Sequence, residues 1–87
     1  MKQYYGVTIR EKGTVVFEST IIPSEDGLEF LVIKNNVFWK EKISNLIGQK
    51  IKIAQEFDVY RELKDIYDVL MYLKDIGVDI EYKTFTE

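Results

Sequence analysis

The sequence predicts an α+β fold: an antiparallel meander or partly open barrel of five to six strands with one amphipathic helix, in the order β-β-β-β-β-α-β. Two observations predict it. Several short segments alternate polar and apolar residues, the period of a half-buried strand, with turn residues between them. From Val59 onward the apolar spacing changes to four and three, the stripe of a helix with one buried face. Strands joined by tight turns form a meander, and a lone helix with one apolar stripe has only the sheet to pack against.

Taken in order, Gln3, Tyr5, Val7 and Ile9 share one side of the first strand, with Lys2, Tyr4, Thr8 and Arg10 on the other. Glu11-Lys12-Gly13 supplies a tight turn. Thr14 to Ile22 is rich in the β-branched and aromatic residues that suit a pleated surface, completing a hairpin. Pro23-Ser24-Glu25-Asp26-Gly27 is turn chemistry, and Leu28 to Lys34 reads as a third strand. Asn35-Asn36 tolerates left-handed backbone, so Val37 to Ile43 is expected to pair back as a fourth strand. Gly48 marks a turn, and Gln49 to Ile53 alternates as a fifth.

The helix stripe runs through Val59, Leu63, Ile66, Leu70 and Leu73, with Asp58 as the expected N-cap and Gly77 as the terminator. Val78, Ile80 and Tyr82 then alternate with Asp79, Glu81 and Lys83 in a last strand, whose neighbour the pattern leaves open.

Length and composition narrow the function classes. At 87 residues there is room for one domain and one core, so residues 1–87 are read as a single domain. A chain this small buries a modest share of its surface, which makes a homodimer an expected way to gain stability. Apolar residues at 46% and charged residues at 31% are a balance that folds rather than remaining disordered. No apolar run approaches the ~20 residues that span a bilayer, and Met1-Lys2-Gln3-Tyr4-Tyr5 leads into alternation rather than a signal segment. A cytoplasmic location and no membrane partner are expected.

With no cysteine there is no disulfide framework or thiolate chemistry, and with no histidine the commonest zinc ligand and neutral-pH proton shuttle are missing. No phosphate-binding loop, dinucleotide fingerprint or nucleophile elbow occurs. The expectation is a non-enzymatic protein without cofactor or metal. Net charge is −3, divided as −2 over residues 1–33, +4 over 34–53 and −5 over 54–87, so a basic island sits between acidic flanks.

Three features are candidate sites. On the expected helix, Tyr60, Tyr67 and Met71 lie to one side of the core stripe, beside Glu62, Asp65, Asp68 and Asp75. Tyrosine and methionine are enriched at interface centres, so Tyr60, Tyr67, Met71, Asp68 and Asp75 read as a surface for a protein partner. The competing reading is that this shoulder widens the core contact. In the expected fourth and fifth strands, Phe38, Lys40, Lys42, Lys50 and Lys52 read as a Lys-rich hairpin able to neutralise phosphates and stack an unpaired base, the way small β-barrels hold single-stranded nucleic acid. Against it, lysines on an edge hairpin also prevent strand-to-strand aggregation, and the chain is acidic overall. Asp79, Glu81 and Lys83 resemble the metal-binding end of a restriction-type nuclease motif, a three-residue match that any polar strand face produces often.

The leading expectation is therefore a small protein-binding module, with single-stranded nucleic-acid binding as the alternative. Lysine for ten of twelve basic residues and Ala54 as the only alanine suggest an AT-rich genome. Small accessory proteins of phages and mobile elements share this profile and often bind and block a host protein, an association at the level of composition only.

Overall fold

The computed structural model describes residues 3–86. The elements are β1 (Gln3–Glu11), β2 (Thr14–Ser24), β3 (Gly27–Lys34), α1 (Val37–Leu46), β4 (Lys50–Ala54), β5 (Val59–Glu62), α2 (Ile66–Asp75) and β6 (Asp79–Thr86). The class is α+β. The element order, however, is β-β-β-α-β-β-α-β, with two helices instead of one.

β1 and β2 form a hairpin through Lys12 and Gly13, whose φ angles of 51° and 81° are the pair of positive values a two-residue turn of this hand needs. β3 pairs with β2 and β6 with β1, all antiparallel, giving a four-stranded sheet in the order β3-β2-β1-β6. The last strand thus returns beside the first, with Val7 opposite Tyr82 and Ile9 opposite Ile80. Both outer strands keep a free edge, so the sheet is open and forms no barrel. Lys2, placed on the outer side of the first strand, lies outside the described residues.

The expected fourth strand is a helix. Asn36 is extended (φ −150°, ψ 106°) and its side chain accepts a hydrogen bond from the Trp39 backbone N–H at 3.3 Å, so it caps α1 rather than turning a hairpin. Trp39, Ile43 and Leu46 are buried at spacings of four and three. Over Val37–Ile43 alone the residues fit a period of two equally well, and only the continuation to Leu46 separates the readings.

The helix stripe likewise starts later than its apolar spacing implies. Asp58 sits at φ 50° in the turn between β4 and β5, and Val59–Glu62 is a strand paired with β4. Leu63 is buried in the connection, where its N–H donates to the Gln49 carbonyl at 2.9 Å and its own carbonyl accepts from Gly48 at 2.6 Å. The N-cap of α2 is Asp65, whose side chain accepts from the Asp68 N–H at 3.0 Å, while Asp68 Oδ2 accepts from the Lys64 N–H at 3.0 Å. Gly77 ends α2 at φ 95°, with its N–H bonded to the Lys74 carbonyl and the Val78 N–H to that of Leu73, the paired bonds of a left-handed glycine stop.

One face of the sheet is buried. Tyr5, Val7 and Ile9 of β1, Phe17, Ser19 and Ile21 of β2 and Ile80 of β6 meet the buried stripes of α1 and α2 in one cluster. Ser19, the one buried polar residue in that set, donates its hydroxyl to the Leu31 carbonyl at 3.2 Å. The β4–β5 hairpin forms a separate two-stranded sheet.

Candidate protein-docking surface

The β4–β5 hairpin and α2 together carry the residues first singled out, but not as one strip. Tyr60 lies on β5, not on a helix. It stands opposite Lys52, whose ammonium lies 5.7 Å from the Tyr60 ring centre, so the two share one side of the ribbon. The neighbouring Arg61 points to the other side and pairs with Asp75 of α2 at 2.8 Å. Tyr60 is therefore turned away from the helix. Between the hairpin and α2 runs a shallow groove lined by Lys52, Ile53, Arg61, Tyr72, Asp75 and Ile76.

Tyr67 and Met71, 43% and 37% exposed, sit on the solvent side of α2. Tyr67 also meets Tyr82 of β6 edge-on at 6.1 Å, so it contributes to the seam between helix and sheet as well as to the surface. The Tyr82 hydroxyl is pushed above its ordinary pKa by burial first and then by Tyr67 and Asp75. Tyr5 shifts the same way, through burial and then Asp65 and Tyr67. The acidic surround is spent within the fold: Asp65 and Asp68 satisfy backbone N–H groups at the helix start, and Asp75 neutralises Arg61.

Sequence reasoning passed over the most exposed aromatic residue. Phe57, 77% exposed, stands in the turn that joins β4 to β5. Ile53, Val59 and Tyr60 of the same hairpin and Ile76 at the end of α2 are also exposed. The available signal was Glu56-Phe57-Asp58: a large apolar residue between charges in a turn buries nothing locally.

The five residues of the expected Lys-rich hairpin divide between two elements. Phe38, Lys40 and Lys42 lie on α1 and Lys50 and Lys52 on β4, because the segment read as the hairpin's first strand is helical. Lys40 and Lys42 are two apart on a helix and so point to different sides. Lys40 lies over the Phe30 ring at 5.5 Å, Lys42 over Phe38 at 5.9 Å, and Lys52 pairs with Asp58 at 2.6 Å. In the nuclease-like trio, Glu81 is paired with Arg10 at 2.8 Å. No group of three or more potential metal-ligating side chains converges among the described residues. No helix there is long and apolar enough to cross a membrane.

No family model matches the chain, and neither a curated protein nor a solved structure matches it.

Proposed function

We propose that the chain is a non-enzymatic protein-binding module that docks through the β4–β5 hairpin, with Phe57 in its turn and Tyr60 on the side of the ribbon away from α2 as anchors. The observation that supports this reading most is the exposure of Phe57 on a ribbon that joins no larger sheet. A two-stranded ribbon is marginal by itself, and exposing its apolar side chains adds nothing to its stability. Exposed apolar residues gathered on one element mark interaction surfaces, and aromatic side chains are the residues that carry most energy there.

The expected partner is a protein with an apolar cleft that accepts Phe57. The nearby ion pairs Lys52–Asp58 and Arg61–Asp75 leave little net charge for long-range attraction. Burial of apolar area, not charge, then supplies the affinity. The test is the double variant Phe57→Ser/Tyr60→Ser. Surface substitutions of this kind shift stability by about 0.5 kcal/mol, so a chemical denaturation curve close to wild type is expected, together with loss of the protein captured by the wild-type chain. Retention of that protein by the folded variant, or a large drop in its stability, would overturn the reading.

A further inference from the structure

The β4–β5 hairpin is tied to the rest of the fold at few points. None of residues 50–62 is buried, whereas β1, β2 and β6 each place at least one residue in the core. The ribbon's backbone runs beside no other element along its length. At its base the Gly48 N–H donates to the Leu63 carbonyl and the Leu63 N–H to the Gln49 carbonyl, where Leu46 and Leu63 enter the core. Buried leucines thus anchor the base, and no buried side chain anchors the ribbon beyond it.

Past the base, the side facing α2 carries the ties. Ile51 packs at the margin of the core, and Arg61, opposite it in the register, pairs with Asp75. The side chains of that ion pair remain 36% and 55% exposed, so water screens the attraction. The groove between the ribbon and α2, about 290 Å³, shows that packing there is incomplete. The contacts of Lys52 with Asp58 and with the Tyr60 ring lie within the ribbon and travel with it.

Proteins open in cooperative units, and units with few buried apolar contacts open most readily. Lifting the ribbon gives up the partial burial of Ile51 and one screened ion pair, whereas opening β1 exposes the buried Val7 and Ile9. We infer that the β4–β5 hairpin is an arm that lifts off α2 as a unit while the four-stranded sheet and both helices stay folded, with Arg61–Asp75 as its latch. The arm carries Phe57 and Tyr60, so the latch sets the angle at which they are presented. That consequence rests on the docking reading, but the opening is measured without a partner, so the two proposals fail separately.

The test is native-state hydrogen exchange of the full chain, followed by NMR. Amides of the β4–β5 ladder are expected to exchange at least about a hundredfold faster than those of β1, the strand paired on both sides, and at rates that low denaturant leaves unchanged. Ile9→Val weakens the core and is expected to speed exchange in β1 about fivefold. The same variant leaves the hairpin rates unchanged, because the lifted arm keeps Ile9 buried. Arg61→Asp alone, and Asp75→Arg alone, break the latch and are each expected to speed hairpin exchange about fivefold. Combining Arg61→Asp with Asp75→Arg restores the pair and is expected to recover most of that change. A common exchange rate for hairpin and β1, equal acceleration of both by Ile9→Val, single reversals without effect, or a double reversal no better than the singles would each overturn the proposal.

Discussion

At the residue scale the fold rests on side chains that exclude water completely. Leu70 has no exposed surface and lies between the helix stripe and the sheet. Leu70→Ala removes its transfer energy and leaves a cavity, so a loss of about 2–5 kcal/mol is expected in urea denaturation. Tyr67 and Met71 test the opposite case. Met71→Gln is expected to cost about 0.5 kcal/mol or less, while Tyr67→Ser gives up the edge-on contact with Tyr82, worth roughly 1 kcal/mol. Tyr5 adds a pH dependence. Its hydroxyl donates to Gln3 Oε1 at 3.1 Å, and burial holds its pKa above 10.0 in the folded chain. The unfolded chain then releases this proton first. The contribution is complete below pH 10.0 and is lost as pH rises through the folded-state value. Denaturation curves at about pH 9 and about pH 11 are expected to diverge less for Tyr5→Phe than for wild type.

At the element scale, most of the chain was legible because most elements carry one clear period and explicit stops. β1, β4 and β6 follow from alternation, β2 from its β-branched and aromatic content, and Gly77 ends its helix where it should. Two segments were not legible, for different reasons. Val37–Ile43 is too short to separate a period of two from 3.6, and Asn36 serves equally as turn residue and cap. In the second segment, Val59 and Leu63 continue the spacing of α2 by coincidence, and an aspartate precedes both the apparent and the actual helix start. The cap assignment is testable. Asp65→Ala is expected to destabilise by about 1 kcal/mol through the lost Asp68 N–H partner, read as reduced helicity and a lower denaturation midpoint. Of the candidate site, Tyr60 was singled out in the sequence, Phe57 was passed over, and the grouping was not legible. Assigning Tyr60 to a helix placed it beside Tyr67, whereas the strand turns it to the far side of the ribbon.

For the whole molecule, the two-layer arrangement commits one sheet face and both helix stripes to the core and leaves open the outer sheet face, the two sheet edges and the hairpin. The outer face holds a hollow of about 270 Å³, lined by polar and apolar residues such as Thr8, Glu18, Lys83 and Phe85. The hairpin differs because its exposed apolar side chains sit on a separate two-stranded sheet. A complex built on them is expected to change little in affinity with added salt and to resist nuclease. Single-stranded nucleic-acid binding would instead weaken steeply with salt as counterions are released. The most direct measurement is site-specific photo-crosslinking in cells that make the protein, with a phenylalanine-like crosslinker in place of Phe57 and, as control, in place of the exposed Glu25 in the β2–β3 turn. The docking account predicts a discrete adduct with one protein from position 57 and none from position 25. No adduct from position 57, or the same adducts from both positions, would contradict it.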